Sequence, residues 1–396
     1  MRGTIKKRYA GSWSLILDLG YQVDPATGKT KRKQNWVTFR GTRKQAEAAL
    51  TEHVRAANRG EFVEPSKSTL GEWLTEWLKK AITPPLKSQA TFESYQRIIE
   101  TRLVPKLGGI RLQALKPIDI EAYYADLSDL SPSTVQIHHA VLHSALKAAV
   151  RNGLVTRNVA ALVSNKPRKG SGQDVLDHVW TADEAATFLK AANAAGLQPA
   201  AFYTLALDAG ARRGELAAVR WSDVDLHAGK LTIRRTLLKG GREPVFGETK
   251  TKTSRTIDLS AETVTRLATH RKHQAEIKLR NRLHYTDLGL VFAKEWGDLH
   301  NRADSLGLPL QVNTIGDREF ARLIKAAGVR RIKFHGLRHT VATLMLSAGV
   351  PAHVVQRRLG HSKVEMTLGI YAHVLPSMQQ EAAAKLAALL HGDLRA

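Results

Sequence analysis

The sequence predicts a multidomain protein that is mainly α-helical and carries small β-sheets. Three observations support this fold class. The chain has 396 residues, which is too long for one ordinary core and suggests two to three domains. Apolar residues recur every three to four positions over most of the chain, whereas strand-like alternation is confined to short stretches. Hydrophobic residues make up 43% of the chain, which is enough apolar material for packed cores.

The charge of the chain points to a polyanionic partner. The formal net charge is +24, and nucleic acid is the first candidate for such an excess, with a membrane surface as the alternative. No apolar run approaches the ~18 residues that span a bilayer, and residues 1–9 lack the apolar segment of a secretory signal. We therefore expect a cytoplasmic protein that does not enter a membrane.

Two absences limit the chemistry that is expected. The chain has no cysteine, which excludes disulfides, thiolate zinc sites and a cysteine nucleophile, and fits a reducing compartment. It also lacks a Gly-x-x-x-x-Gly-Lys-Ser/Thr phosphate loop, so nothing indicates ATP use. No cofactor and no metal are expected.

Residues 1–64 predict a small α+β unit. Residues 12–19 and 34–39 are strand-like, and residues 24–28 form a turn between them. Thr42 and Gln45 have capping-box spacing and open a helix that runs towards Asn58.

Basic side chains crowd the tip of this predicted hairpin and its second strand. They are Lys29, Lys31, Arg32 and Lys33. Because a two-stranded ribbon can enter a DNA groove, we interpret the unit as a DNA-binding module. The alternative is a solvated basic turn.

Residues 66–165 predict a helical domain, entered through a linker at residues 64–68. Helices are expected from Leu70, from about Thr91 to a stop before Pro105, from Pro117, and over residues 133–151. The Trp and Tyr side chains of this domain are predicted to be core residues rather than platforms for bases. His138 and His139 are predicted to lie on an ordinary helix surface.

Residues 174–396 form the largest predicted domain, after a basic linker at residues 166–172. The capping box of Thr181 and Glu184 opens a helix to Ala195. Helices are also expected over residues 199–209, 211–219, 261–281 and 317–327, and strands of one small sheet over residues 230–236, 244–249 and 255–259. Residues 285–312 are rich in loop signals.

Four short segments of this last domain carry the residues that suggest chemistry. They are residues 210–216 (Gly-Ala-Arg-Arg-Gly-Glu-Leu), 250–255 (Lys-Thr-Lys-Thr-Ser-Arg), 335–340 (His-Gly-Leu-Arg-His-Thr), and 359–362 (Leu-Gly-His-Ser) followed by Tyr371. Each segment alone is weak, since a Gly-His-Ser run is usually a helix cap and a Tyr among apolar residues is usually core. Together, and in this order, they are specific.

This ordered set resembles the catalytic constellation of the tyrosine recombinases, the phage-integrase family of site-specific recombinases. Carried over position by position, the family's catalytic residues are Arg212, Lys250, His335, Arg338, His361 and Tyr371. Arg212 is preferred to Arg213 because Glu215 follows it in an Arg-x-Gly-Glu pattern, and Lys250 to Lys252 because Arg255 follows at the family's spacing. The pair Gly369-Ile370 departs from the commoner Asp-Thr before the tyrosine.

These residue types suit phosphoryl transfer without a metal. Tyr371 would attack the scissile phosphate and hold it as a 3′-phosphotyrosine, with nearby cations favouring the phenolate. Arg212 and Arg338 would each place two N–H groups on the phosphate oxygens, which lysine cannot do. Lys250 would protonate the departing 5′ oxygen, while His335 and His361 would hydrogen-bond the phosphate or assist proton transfer.

Two histidines four residues apart raise an alternative. His335 and His339 could suggest zinc, but a third ligand and an acidic residue between them are lacking. For His339 itself, support of the site and plain packing both remain open.

The resemblance implies the architecture and the partners. It implies an N-terminal arm-binding module at residues 1–64, a helical core-binding, SAM-like domain at 66–165 and a mixed α/β, mostly helical tyrosine-recombinase catalytic domain at 174–396. The implied partner is double-stranded DNA with core and arm attachment sites, bound by a homotetramer, with an excisionase and a host DNA-bending protein as further partners. The protein would act at the nucleoid of a bacterial host, and the Ala/Leu-rich tail at residues 376–390 would dock on a neighbouring protomer or fold onto its own domain.

The expected function is that of a phage or mobile-element integrase, which cuts and rejoins DNA through a Holliday junction. Three alternatives stay open. A type IB-like topoisomerase shares the chemistry but rejoins the same strands, and the N-terminal basic module argues for the integrase. A DNA-binding regulator with an inactive site and a metal-dependent nuclease are the other two.

Overall fold

The computed structural model describes residues 2–23, 30–58, 63, 65–166, 178–249, 253–295, 305–311, 318–362, 386, 387 and 390. The chain divides into two compact units, Met1–Ser171 and Gly172–Ala396. The described residues are mainly helical with small β-sheets, so the predicted fold class is confirmed. Within the described ranges, no helix combines the length and the apolar character that crossing a membrane requires.

The first unit begins with an antiparallel sheet covered by one helix. Its elements are β1 (Arg2–Tyr9), β2 (Ser12–Val23), β3 (Thr30–Arg40) and α1 (Arg43–Asn58), with the strands in the order β1-β2-β3. Only two of these strands were predicted, because β1 is too rich in Lys and Arg to alternate. Leu15, Leu17 and Ala46 are fully buried, so every second residue of β2 faces α1.

The opposite face of this sheet is largely exposed on β3, although Ser12 and Ser14 of β2 are buried there. Ile16 lies between Leu15 and Leu17 and pairs with Trp36, whose side chain is 55% exposed. Near the end of the hairpin, Arg32 forms an ion pair with Asp18, with Nη2 2.5 Å from Oδ2. Lys31 and Lys33 lie on the same strand β3, and Lys29 lies outside the described residues.

The remainder of the first unit is helical. Its helices are α2 (Leu70–Trp77), α3 (Gln89–Ile98), α4 (Val104–Leu107), α5 (Pro117–Ala125) and α6 (Pro132–Arg151). A π-helical turn, Ile99–Leu103, joins α3 to α4, so the predicted stop before Pro105 is wrong. Pro105 lies in the first turn of α4, directly after the π-helical turn, and it donates no backbone hydrogen bond to that preceding turn.

Aromatic side chains form the core of this helical part, as predicted. Trp73 and Trp77 are buried, and Nε1 of Trp73 donates to the carbonyl oxygen of Ala145 at 2.9 Å. The prediction for His138 is wrong, because its ring is 3% exposed and Nδ1 lies 2.7 Å from the hydroxyl of Tyr123. A buried polar partner on α5 makes this histidine part of the core.

The second unit contains the remaining helices and two small sheets. Its elements are α7 (Ala182–Ala194), α8 (Leu197–Ala209), α9 (Arg213–Leu216), β4 (Val224–Asp225), β5 (Lys230–Ile233), β6 (Arg235–Lys239), β7 (Val245–Glu248), β8 (Arg255–Asp258), α10 (Ala261–Arg280), α11 (Phe320–Ala327), α12 (Phe334–Ser347) and α13 (Ala352–Leu359). The capping box at Thr181 is present, since its Oγ1 accepts from the Glu184 N–H and the Glu184 carboxylate accepts from the Thr181 N–H.

The strands of this unit form two sheets where one was predicted. The first has the order β4-β5-β8 and the second pairs β6 with β7, all antiparallel. The predicted strand at residues 230–236 is therefore split at Arg234, and its two halves join different sheets.

Helix α8 is the central element of the second unit. Most of its side chains are buried, and Phe188, Phe292 and Phe320 pack in the same cluster as its Phe202 and Tyr203. Helices α12 and α10 pack on α8, and α13 packs on α12 and β8. The carboxyl end of α8 is therefore held next to the elements that carry the other candidate residues.

Candidate active site

The first candidate arginine lies in a tight turn after α8. Gly210 ends the helix in the left-handed conformation, with φ of 59°, which glycine adopts without a steric penalty. Arg212 is then the N-cap of the short helix α9. The predicted helix over residues 211–219 is therefore wrong, because the turn interrupts it and α9 ends at Leu216.

Glu215 holds Arg212 in place. The Glu215 carboxylate accepts hydrogen bonds from the Arg212 backbone N–H at 3.0 Å and from its Nη1 at 2.8 Å. Nη2 of Arg212 donates to the carbonyl oxygen of Gly360 at 3.3 Å. Arg212 thus connects α9 with the turn after α13.

The Glu215 carboxylate is 1% exposed and remains ionised. Burial raises its pKa, but hydrogen bonding and charge from Arg255, followed by the bonds from Arg212, hold the pKa below its ordinary value. Arg255 donates from Nη2 to Glu215 at 2.6 Å. Two guanidinium groups therefore share one buried carboxylate, which leaves net positive charge.

The second candidate arginine is buried. Arg338 on α12 is 3% exposed, and its Nη1 donates to the carbonyl oxygen of Gly210 at 2.9 Å. Its Nη2 has no hydrogen-bond partner among the described residues. Burial, and then repulsion by Arg212, lowers the pKa of Arg338 to about 9. A bound anion would relieve both effects.

His361 lies in the turn that follows α13. Gly360 ends that helix in the left-handed conformation, with φ of 68°, and the His361 N–H donates to the carbonyl oxygen of Gln356 at 3.1 Å. Burial, followed by the charges of Arg338 and Arg212, lowers the pKa of His361 to about 4. Its imidazole is consequently neutral at pH 7 and can accept a hydrogen bond or a proton.

His335 lies one turn before His339 on α12. The His335 and His339 rings meet edge to face with centroids 4.9 Å apart. His335 is exposed and His339 is half-buried, with Nδ1 of His339 lacking a partner among the described residues. Burial, then Arg338, lowers the pKa of His339. Within the described ranges, no group of three or more His, Cys, Asp or Glu residues is arranged to hold a metal ion.

Four of the six predicted residues are described, and the structure brings them together. Arg212 reaches the turn that carries His361, Arg338 binds the turn that precedes Arg212, and the charges of Arg338, Arg212 and His335 all act on His361. These four side chains, Arg212, His335, Arg338 and His361, are called the phosphate cradle below. Such an arrangement can neutralise a tetrahedral anion and exchange protons with it.

Lys250 and Tyr371 lie outside the described residues, as does most of the tail at residues 376–390. The loop of Lys250 was predicted to join two strands of one sheet. It instead connects two sheets, since β7 pairs with β6 and β8 pairs with β5. The hydroxyl of Thr249 donates to the carbonyl oxygen of Thr253 at 2.9 Å. This hydrogen bond joins the two residues that flank residues 250–252.

Two residues of the site had no role in the sequence interpretation. Glu215 and Arg255 served only as spacing marks for Arg212 and Lys250, yet they form a buried ion pair beside the cradle. The Arg-x-Gly-Glu spacing was the available signal for Glu215, because a carboxylate at the third helical position can cap the preceding N–H. Nothing local indicates that Arg255, 40 residues away, binds the same carboxylate.

Comparison with known protein families gives two matches. The model of the phage integrase family matches residues 178–378. The model of the N-terminal SAM-like domain of phage integrases matches residues 69–128.

Individual relatives match over most of their length. A protein described as tyrosine recombinase XerC-like, from Caldanaerobacter subterraneus subsp. tengcongensis, is 29% identical over 376 residues, covering 90% of this chain and 91% of the relative. An integrase of Streptomyces ambofaciens is 26% identical over 373 residues, covering 91% of this chain and 88% of the relative.

Solved structures share the fold at lower identity. The Tn1549 transposon integrase in complex with a circular intermediate DNA has a TM-score of 0.66 and 19% identity, over 80% of this chain and 99% of that one. A lambda integrase tetramer bound to a Holliday junction has a TM-score of 0.56 and 19% identity, over 92% of this chain and 94% of that one.

Proposed function

The chain belongs to the phage integrase family, and we propose that it acts as the integrase of a phage or mobile element. It cuts and rejoins DNA in site-specific recombination. The proposed reaction passes through a 3′-phosphotyrosine on Tyr371 and a Holliday junction. The observation that carries this proposal is Arg338. A buried guanidinium with one nitrogen unpartnered among the described residues, beside Arg212 and a neutral His361, is built to receive an anion.

The proposed reaction keeps the phosphodiester bond energy. The Tyr371 hydroxyl gives its proton to the neutral imidazole of His361 as its oxygen bonds to phosphorus, while the bond to the 5′ oxygen breaks and Lys250 gives that oxygen a proton. The four residues of the phosphate cradle stabilise the pentavalent phosphorane. The 5′ hydroxyl of another strand then attacks the phosphotyrosine and releases Tyr371, so no ATP is consumed.

We further propose three domains and a DNA-bound tetramer. A separate hydrophobic cluster in residues 70–163 supports a helical core-binding domain at 66–165, distinct from the arm-binding module at 1–64 and the catalytic domain at 174–396. The lambda integrase is a tetramer on a Holliday junction, which supports the same assembly here. Lys29, Lys31, Arg32 and Lys33 would hold arm DNA, and an excisionase and a host bending protein would set direction at the bacterial nucleoid.

The test of this proposal is a covalent adduct. A nicked duplex that carries a candidate attachment core is incubated with the protein, without ATP and with a chelator, and adducts are separated on a denaturing gel. We expect an adduct with the wild type and with Tyr21→Phe, a matched loss of an exposed tyrosine hydroxyl, but none with Tyr371→Phe.

Other outcomes would separate the alternatives. DNA binding without any adduct would favour a regulator, and cleavage that stops in chelator would favour a metal-dependent nuclease. An adduct that survives in Tyr371→Phe would show that the nucleophile is a different residue. Substrates with two duplexes distinguish strand exchange from the relaxation of one duplex that a topoisomerase performs.

A further inference from the structure

Arg255 is nearly buried beside the phosphate cradle, and nothing in the proposed reaction uses it. It opens β8, where it pairs with Ile233 of β5, and its side chain is 8% exposed. Because its backbone is held in the sheet and its guanidinium is buried, Arg255 can fix the positions of the two segments that it contacts, one at Glu215 and one at Arg358.

The first contact is with the carboxylate that orients Arg212. Nη2 of Arg255 donates to Oε2 of Glu215 at 2.6 Å, whereas Oε1 accepts from Nη1 of Arg212 at 2.8 Å. Because Arg255 neutralises much of the charge of Glu215, the Arg212 guanidinium does not serve as the only counter-ion of a buried carboxylate. The positive charge of Arg212 thus stays available for a phosphate.

The second contact is with the end of the helix that precedes His361. Nε of Arg255 donates to the carbonyl oxygen of Arg358 at 2.9 Å, one of the last carbonyls of α13, which carry partial negative charge. The fit is close, since a Cβ on Gly360 would lie 2.9 Å from Nη1 of Arg255. The turn that carries His361 therefore packs directly against the Arg255 side chain.

The side chain of Arg358 connects α13 with other elements. Arg358 donates to the carbonyl oxygen of Asp208 from Nε and Nη2, at 3.2 and 3.0 Å, and to that of Asp258 from Nη1 at 3.1 Å. These bonds connect α13 with the end of α8 and with β8, but none of them reaches Glu215. Arg255 thus connects the carboxylate that orients Arg212 directly with the His361 turn.

We propose that Arg255 is a positioning residue for strand cleavage. It fixes Arg212 through Glu215, and it fixes the His361 turn through the carbonyl of Arg358, so that both side chains can contact the scissile phosphate. This inference rests on the proposed function. It predicts that Arg255 affects the rate of cleavage of bound DNA far more than the affinity for DNA.

The experiment measures single-turnover cleavage of the nicked duplex at saturating protein. Arg255→Met removes the charge and both hydrogen bonds while keeping a long side chain, and Arg255→Lys keeps the charge but loses the fork. We expect Arg255→Met to cleave roughly 10²-fold more slowly, with the Kd for DNA changed less than about 3-fold, and Arg255→Lys to recover about a tenth of the wild-type rate. Arg330→Met is the matched control, since Arg330 also bridges distant segments through a carboxylate, Glu184, and we expect its rate to be unchanged.

A neutral substrate separates positioning from a general folding defect. A methylphosphonate at the scissile position carries no charge, so cleavage depends less on Arg212. If Arg255 acts through Arg212, Arg255→Met and Arg212→Ala should each cleave this substrate less than about 5-fold more slowly than the wild type does. A deficit of Arg255→Met that is equal on the two substrates would overturn the assignment. If Arg255→Met does not fold, Arg255→Lys carries the same comparison.

The two proposals fail in different ways. Absence of an adduct with the wild-type protein overturns the proposed function and, with it, the role of Arg255. A wild-type adduct together with an unchanged rate in Arg255→Met overturns the role of Arg255 alone.

Discussion

At the scale of single residues, the phosphate cradle contains a buried cation, the guanidinium of Arg338. Arg338 is buried and shares the site with Arg212, Arg255 and the carboxylate of Glu215. Burial of a cation without a full set of partners costs free energy in the free protein. A phosphate that completes the hydrogen bonds of Arg338 would offset this cost on binding. The same arrangement therefore lowers the stability of the free protein and favours the complex with phosphate.

The neutral state of His361 gives a prediction about acid stability. Its folded-state pKa of about 4 lies below the ordinary value of 6.5. The unfolded chain therefore binds a proton that the folded chain does not between these pH values, and the free energy of unfolding falls as pH is lowered through this window. At pH 5 the loss due to this residue should be about 1–2 kcal/mol.

The measurement compares urea midpoints at pH 7 and pH 5 for the wild type and His361→Gln. The variant should lose less stability between the two values, because its amide does not titrate. His353→Gln, which removes an exposed histidine of α13, should follow the wild type. An equal loss in wild type and His361→Gln would show that His361 is not buried in the neutral form.

At the scale of elements, the cradle is built from helix ends. Helix α8 ends at Gly210, α9 begins at Arg212, and α13 ends at Gly360. Helix ends leave backbone carbonyl and N–H groups without helical partners. Arg338 and Arg212 use two of these carbonyls, those of Gly210 and Gly360, so the site depends on where each helix stops.

The stop at Gly210 is testable by substitution. Gly210→Ala must adopt a left-handed conformation and would place Cβ 2.3 Å from Cδ2 of Leu359, a fully buried side chain. We expect a loss of about 2–5 kcal/mol in the free energy of unfolding, from the backbone penalty and from overpacking. Cleavage should also slow, because the Gly210 carbonyl holds Arg338.

Gly328→Ala is the matched control for this substitution. Gly328 also ends a helix, α11, with φ of 66°, but nothing lies within 4 Å of its added Cβ. It should cost about 1–2 kcal/mol, the backbone penalty alone. Equal losses for the two variants in urea unfolding would mean that the Leu359 side chain moves aside without a cost in free energy.

At the scale of the whole molecule, the property that bears most directly on DNA binding is the net positive charge. The net charge of +24 is spread over both compact units, and each phosphate contact made by Lys or Arg adds to the salt dependence of DNA binding. Helix α1 covers one face of the N-terminal sheet. The proposed arm contacts, Lys29, Lys31, Arg32 and Lys33, belong to the hairpin and not to α1.

This assignment predicts a change in the salt dependence of binding. Replacement of Lys29, Lys31 and Lys33 by Gln should reduce the slope of log K against log salt by up to about 2.7, since each phosphate contact contributes about 0.9. The measurement is fluorescence anisotropy with a labelled duplex long enough to hold core and arm sites. Replacement of Arg43, Lys44 and Arg55 of α1 by Gln removes the same charge behind the sheet and should leave the slope within about 1 of the wild-type value. Equal slopes for both triple variants would place the contacts elsewhere.

Local patterns in the sequence determined most of the secondary structure. Capping boxes at Thr42 and Thr181, Pro117 and Pro132 at helix starts, and Gly360 at a helix end are recognisable because each signal acts within four residues. The set of Arg212, His335, Arg338 and His361 was instead predicted from the resemblance of four short segments to the tyrosine recombinases. The structure brings these four together, and Lys250 and Tyr371 remain predictions.

Tertiary structure decided what surrounds these residues. It ended the expected helix at residues 211–219, split the expected sheet in two, buried His138 against Tyr123, and joined Arg255 to Glu215 across 40 residues and Arg338 to Gly210 across 128. None of these contacts leaves a periodic or local signal, because each forms between segments that meet only when the core has packed. The sequence by itself therefore determined most of the local secondary structure and predicted which groups carry the chemistry, whereas burial and long-range hydrogen bonds decided the charge states and orientation of the four described groups.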